Sequence, residues 1–141
     1  MLNNLQLAEF IYEQPAVSDV EYRFNHALTR EVAYNSVLTD RKRTIHEGIA
    51  KAIEGLSSNS LEDHLGELAH HYGDSGNHAK AVHYLRRAAA RNMQRSAFQE
   101  AKHQFERALE ILREMPAGPG RDANEMRVQF RIGDIAFRVE G

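Results

Sequence analysis

The sequence contains no cysteine and no tryptophan, and only 3 of its 141 residues are proline. Without cysteine the chain has no disulfides, no thiolate metal ligands and no cysteine nucleophile, and it suits a reducing compartment. No apolar run approaches the roughly 18 residues that a membrane helix needs, and the N-terminus lacks a signal-peptide pattern. The formal net charge of −2 provides no overall attraction to nucleic acid or anionic membranes. We therefore expect a soluble, cytoplasmic protein in which any basic surface is local.

Hydrophobic residues make up 42% of the chain and charged residues 27%, the ordinary balance of a folded protein. A length of 141 residues allows one domain or a short array of helical repeats. It is too short for a large catalytic domain together with a regulatory one. The organisation of the chain must therefore show in its hydrophobic periodicity.

The stretch Leu65–Ala88 has a spacing of small and large residues that resembles one tetratricopeptide (TPR) hairpin. The large positions are Leu65, Leu68, Tyr72 and Leu85, and the small positions are Ala69, Ala81 and Ala88. Small residues let two helix backbones approach and large ones fill the gaps, so the pattern predicts antiparallel helices over Leu61–Asp74 and His78–Arg95. Gly76 is expected to end the first helix in the left-handed conformation, which costs glycine no Cβ penalty.

The same pattern recurs in a helix predicted over Phe98–Met115, at Ala101, Phe105 and Ala108. Ala81 and Ala101 are 20 residues apart, whereas strict TPR arrays repeat about every 34 residues. The helix His78–Arg95 is therefore expected to be shared, as the second helix of one hairpin and the first of the next.

Two capping boxes, Ser60 with Asp63 and Ser96 with Gln99, predict the starts of helices. Pro116–Gly120 cannot continue a helix and predicts a flexible loop. A last helix, capped around Asp122, is predicted over Glu125–Val139. The chain stops where a repeat would turn into its second helix, so we expect a fragment of a longer protein. Its last helix would leave an apolar face open, through which the chain could form homo-oligomers.

The N-terminal part shows alternating apolar residues in Phe10–Glu13 and Val20–Phe24, which predict two strands of a β-hairpin. Helical periodicity follows in His26–Leu38 and, after a break at Thr39 and Asp40, in Arg41–Leu56. A lone hairpin is marginal in water, so we expect it to lean on the first of these helices.

Together these patterns predict a mainly α fold. TPR-like antiparallel helical hairpins, an alpha-alpha superhelix, would follow a short β-hairpin that resembles the end of a winged-helix subdomain. The predicted divisions are residues 1–38 for the hairpin and first helix, 39–59 for a connecting helix, and 60–141 for the repeats.

Three motifs in combination resemble a known family. They are Phe24–Leu38 (FNHALTREVAYNSVL), Arg43-x2-His46-x2-Ile49-Ala50 and Leu68-Ala69-His70-His71-Tyr72. They look like the segment that joins an ATPase module to TPR repeats in bacterial class III adenylate or guanylate cyclases fused to a STAND or AAA-type ATPase, or in transcriptional regulators with the same middle. The resemblance implies a winged-helix-like ending before the first helix, and it places the ATPase and cyclase chemistry outside this chain.

No catalytic motif is present in the sequence. It lacks a Gly-x4-Gly-Lys-[Ser/Thr] phosphate-binding loop, and no acidic metal-binding pair stands in a recognisable setting. Its 8 histidines include no His-x2-His or His-x3-His pair, and adjacent helical residues such as His70 and His71 point about 100° apart. We therefore predict a chain that is not an enzyme and that binds no cofactor and no metal.

The predicted function is protein–protein interaction and signal relay, with a protein, a peptide or another domain of the parent chain as partner. If the first helix of each hairpin lines a concave face, the partner-binding residues are Asp63, Gly66, His70, Arg127, Phe130 and Asp134. Arg86, Arg87, Arg91 and Arg95 are candidate contacts to an anion or an acidic partner. The alternative is a DNA-associated regulator that touches phosphate through the hairpin and Arg41–Arg43, although the acidic net charge argues against a nucleic-acid partner.

Overall fold

The computed structural model describes residues 19–141, and this part of the chain is all-α. Its elements are α1 (Asp19–Leu56), a 3-10 helix (Leu61–His64), α2 (Leu65–Ser75), α3 (His78–Gln94), α4 (Phe98–Glu114) and α5 (Pro119–Glu140). No strand occurs within these residues. None of the helices described is both long and apolar enough to cross a membrane.

The chain divides into two compact units, Met1–Lys42 and Arg43–Gly141. In the second unit each helix from α2 to α5 packs against the next one in the chain. Because only two to four residues connect successive helices, the neighbours run antiparallel. Two layers result, with α2 and α4 in one layer and α3 and α5 in the other.

The residues that the small and large pattern singles out on α2 and α3 belong to the hydrophobic core. Leu65, Leu68, Ala69, Tyr72, Ala81, Leu85 and Ala88 are all buried. Gly76 ends α2 with a φ of 80°, and its N–H donates to the carbonyl of Gly73. The predicted left-handed stop at Gly76 is therefore confirmed, and α3 and α4 begin at the predicted residues, His78 and Phe98.

Neither serine acts as the predicted side-chain cap. Ser96 has a φ of 59° and closes the end of α3, while Ala97 is the residue that precedes α4. Ser60 makes no capping bond with its hydroxyl and instead accepts the amide of Asp63 on its carbonyl, at 3.0 Å. The predicted capping boxes are wrong because neither serine has the extended backbone of a capping residue: ψ is 31° at Ser60, and φ is 59° at Ser96.

Residues Val20–Phe24, predicted as a strand, are helical and form part of α1. The second half of the predicted β-hairpin is therefore wrong, and its first half, Phe10–Glu13, lies outside the described residues. Val20 and Phe24 fit an alternating pattern, but with Leu28 and Val32 they also recur every fourth residue, which is the spacing of one helix face.

The predicted break at Thr39 and Asp40 is also absent, since α1 continues through both residues. The hydroxyl of Thr39 donates to the carbonyl of Asn35 at 2.8 Å, the bond by which threonine is accommodated inside a helix. At the other end of the chain α5 begins at Pro119, earlier than predicted. Proline fits the first turn of a helix because it needs no amide partner there.

Candidate functional site

A groove of about 510 Å³ lies in the layer formed by α3 and α5 and is floored by α4. We call it the basic groove. It is lined by His83, Arg86, Arg87, Phe105, Arg127, Phe130 and Arg131.

The same spacing on two helices builds the walls of the basic groove. α3 contributes positions 83, 86 and 87, and α5 contributes positions 127, 130 and 131. Residues at i, i+3 and i+4 share one face of a helix, so each helix turns a compact triplet toward the groove. Phe105 of α4, the large residue of the repeated pattern, is buried at the floor.

Among the residues that the structure describes, Arg86 has no acidic partner for the positive charge that it holds in the basic groove. Its Nη1 donates to Oδ1 of Asn124 at 2.7 Å, which orients the guanidinium but does not neutralise it. Partial burial lowers the pKa of Arg86, and the nearby charges of Arg127 and Arg131 lower it further. Three guanidinium groups therefore repel one another here, a situation that a bound anion would relieve.

The other groove residues differ in how their charges are compensated. Arg87 forms an ion pair with Glu62 of the 3-10 helix. Within residues 19–141, the α5 residues that form ion pairs are Arg121, Asp122, Glu125, Asp134 and Arg138, whereas Arg127 and Arg131 form none. Phe130 stands between these two arginines with 73% of its surface exposed.

A second, smaller groove of about 230 Å³ lies in the other layer, between α2 and α4. It is lined by Gly66, Ala69, His70, Gly73, Asp74, Leu85, His103, Gln104, Arg107 and Ile111. Its charged side chains have partners nearby, since Oδ2 of Asp74 lies 3.4 Å from Nε2 of His70 and Nη1 of Arg107 lies 3.0 Å from Oε2 of Glu110.

The structure divides the predicted partner-binding residues between these places. Gly66 and His70 line the second groove, while Arg127 and Phe130 line the basic groove. Asp63 and Asp134 line neither groove; Asp63 lies 3.3 Å from Arg91, and Asp134 lies 3.1 Å from Arg138. The predicted set assumed one concave face, but α2 and α5 belong to different layers.

The predicted anion contacts are divided as well. Arg86 and Arg87 line the basic groove, Arg91 pairs with Asp63, and Arg95 is exposed at the end of α3. The sequence prediction missed His83, Phe105 and Arg131. Arg131 had a signal in the chain, because positions 127, 130 and 131 repeat the spacing of positions 83, 86 and 87.

Three histidines meet where α1 contacts α2. Nδ1 of His46 lies 2.9 Å from Nδ1 of His71, and the ring of His70 lies edge-on to that of His46 and tilted against that of His71. Burial lowers the pKa of His71, with further lowering from His70 and His46, while Asp74 acts in the opposite direction. Across residues 19–141, no cluster of three or more such side chains has the geometry of a metal site.

The residues proposed for DNA contact lie on α1 rather than beside a hairpin. Arg41, Lys42 and Arg43 are exposed on this helix. Since Val20–Phe24 is helical, the described residues contain no wing that could place these cations on a duplex.

No protein-family model and no solved structure matches this chain. The sequence is similar to an uncharacterized protein of Rhizobium meliloti (strain 1021), with 27% identity over 120 residues. The match covers 85% of this chain and 12% of the relative, so the chain spans about an eighth of the length of that protein.

Proposed function

We propose that residues 43–141 form a TPR-like, non-catalytic interaction module that belongs to a larger bacterial signalling protein of the ATPase and cyclase type. Its task in this proposal is to bind a protein or peptide segment and to relay that binding to the rest of the parent chain.

One observation carries the proposal. All seven residues of the TPR-like pattern on α2 and α3 are buried, and the corresponding residues of α4, Ala101, Phe105 and Ala108, are buried too. A repeated contact of this kind stacks helices side by side and leaves grooves between alternate helices. Such grooves suit an extended peptide, which offers a side chain to each helix that it crosses.

The arrangement also provides a way to relay binding. A ligand in the basic groove touches α3 and α5, two helices that are separated in the chain by α4. It therefore favours those packings of the three helices that match its own shape. Partner binding would act by shifting this population, without any chemical step in the module.

The similarity to a much longer relative supports a role as one part of a larger protein. The matched region makes up 12% of the Rhizobium meliloti protein. The three motifs that resemble the joint between an ATPase and its TPR repeats support the same view.

A selection experiment tests this function. Random peptides displayed on phage are selected against the immobilised 141-residue chain, and enriched peptides are titrated into the isotope-labelled chain by NMR. We expect an enriched consensus whose shift changes map to residues lining one of the two grooves. Failure to enrich any peptide, or changes confined to the exposed face of α1, would contradict the proposal.

A control variant distinguishes specific binding from nonspecific binding to exposed apolar residues. Phe137 is exposed on α5 and lines neither groove. Peptides that adhere to exposed apolar residues in general are expected to weaken in Phe137→Ala, whereas groove-bound peptides should keep their affinity.

A further inference from the structure

We propose that the basic groove binds a short acidic peptide segment, with carboxylates on Arg86, Arg127 and Arg131 and an apolar side chain against Phe130. This inference rests on the proposed function and specifies the chemistry of the partner.

The charge of the groove is the first argument. Three of its four arginines lack a carboxylate partner within residues 19–141, and His83 adds a further group that can become cationic. A guanidinium offers a fork of donors that matches a carboxylate, so each free arginine is a ready contact for a glutamate or aspartate. The net charge of the whole chain is −2, so this positive charge is a local feature.

The exposed ring of Phe130 is the second argument. It stands on the same helix face as Arg127 and Arg131, one turn from the first and next to the second. A large aromatic side chain that is 73% exposed gains free energy when an apolar group covers it. A peptide with an apolar side chain flanked by acidic residues therefore complements the groove, whereas a simple anion would leave Phe130 exposed.

The edges of the groove favour a short segment over a polyanion. Glu62 stands beside Arg87 at one edge, and Asp134 lies one turn beyond Arg131 on α5. A nucleic-acid backbone needs a continuous basic track, which these carboxylates interrupt. The volume of about 510 Å³ suits a few residues of peptide.

The probe for the test is a labelled, end-blocked peptide with glutamates on both sides of a central leucine, measured by fluorescence anisotropy with the 141-residue chain. Two control peptides carry glutamine in place of glutamate or alanine in place of leucine. We expect about tenfold weaker binding for the glutamine peptide, because charge-assisted hydrogen bonds are lost, and several-fold weaker binding for the alanine peptide.

Exposed side chains in the groove can be changed without disturbing the core. The double variant Arg127→Gln with Arg131→Gln is expected to bind the acidic peptide about tenfold more weakly. Its control, Arg30→Gln with Arg95→Gln, has the same net charge but alters exposed arginines that line neither groove. It is expected to bind like the wild type. Phe130→Ala should lower the affinity for the leucine peptide to that of the alanine peptide, and Phe137→Ala should not.

Three results would overturn the inference. Equal weakening by both double variants would show diffuse charge attraction, and equal affinity for the glutamate and glutamine peptides would remove the acidic requirement. Tighter binding of an oligothymidylate of equal charge, with a steep salt dependence, would mark a nucleic-acid surface. If the acidic peptide fails while phage-selected peptides bind in the second groove, only this inference falls. If no peptide binds at all, the proposed function falls with it.

Discussion

The phenol of Tyr72 donates a hydrogen bond to the carboxylate of Glu54 and so ties α2 to the last turns of α1. Tyr72 is 1% exposed and its ring lies parallel to that of Tyr84, with centroids 5.7 Å apart. Burial alone would raise the pKa of Glu54, but hydrogen bonds from Tyr72 and Lys80 outweigh it and hold this pKa below the ordinary value. The buried hydroxyl and the carboxylate therefore depend on each other.

Replacing the hydroxyl tests this dependence. Tyr72→Phe keeps the stacked ring but removes a donor from a charged acceptor, so we expect a loss of about 1 to 2 kcal/mol in the free energy of unfolding. Urea unfolding followed by circular dichroism measures it. Tyr34→Phe, at an exposed position of α1, is the matched control and should leave the midpoint unchanged. Identical midpoints for the two variants would mean that the bond contributes nothing.

The contact between α2 and α3 makes a second prediction. Ala81 has no exposed surface, whereas Ala79, two residues earlier on α3, is exposed. Ala81→Leu overfills the contact and should cost about 1 to 3 kcal/mol of unfolding free energy. Ala79→Leu changes the same residue type on the same helix and should alter stability by less than about 0.5 kcal/mol. Equal melting temperatures would place Ala81 outside a close helix contact.

Replacing either of two glycines near the end of α2 by alanine should change the free energy of unfolding, but in opposite directions. Gly76 has a φ of +80°, where a Cβ is strained, so Gly76→Ala should destabilise by about 1 kcal/mol. Gly73 is helical and has open space beside its own helix where a Cβ would lie, so Gly73→Ala should stabilise by about 0.5 to 1 kcal/mol. Thermal unfolding of both variants measures the two signs, and a shift in the same direction for both would contradict the account.

The histidine cluster predicts how stability changes with pH. The pKa of His71 is lower in the folded chain than its ordinary value, because of burial and of His70 and His46. As pH falls below about 6.5 the unfolded chain therefore takes up a proton first, and the folded chain loses stability until His71 is itself protonated. The melting temperature should fall between about pH 7.5 and 5.5 and should fall less in His71→Gln. His103→Gln, which changes an exposed histidine outside the cluster, should keep the wild-type slope; a wild-type slope in His71→Gln would disprove this role.

His83 should make binding of the acidic peptide depend on pH. Burial, Arg87 and Lys80 lower the pKa of His83 in the free chain. A carboxylate in the basic groove favours the protonated ring, so affinity should rise as pH falls from about 7.5 to 5.5, a range in which glutamates stay ionised. Anisotropy titrations across this range should show the rise in the wild type and in His103→Gln, but not in His83→Gln. An affinity independent of pH in the wild type would remove His83 from the contact.

The sequence predicted most helix bounds of the second unit because local features determine them. Gly76 stops α2 through its own backbone freedom, and the starts of α3 and α4 follow their apolar periodicity. The periodicity of Val20–Phe24 was ambiguous because its apolar residues fit both the alternation of a strand and the four-residue spacing of a helix face. The long helix α1 was therefore read as a strand and two helices.

The candidate site was harder to predict because it depends on which helices lie in the same layer. Arg127 and Phe130, singled out from the sequence, line the basic groove, whereas His70, which was grouped with them, lines the second groove in the other layer. The contact between His46 and His71 joins residues 25 positions apart on different helices. No spacing along one helix can reveal such a contact.

Because successive helices lie alternately in the two layers, the number of helices that are duplicated together matters when such a chain lengthens during evolution. Leu85 and Phe105 occupy the same place in the repeated pattern, 20 residues apart, yet Leu85 lines the second groove and Phe105 lines the basic groove. Duplicating one helix with its turn would move every later helix into the opposite layer and would exchange the walls of the grooves. Only the duplication of two helices at a time keeps an existing binding surface, so selection for binding would favour growth in pairs even where the pattern itself repeats singly.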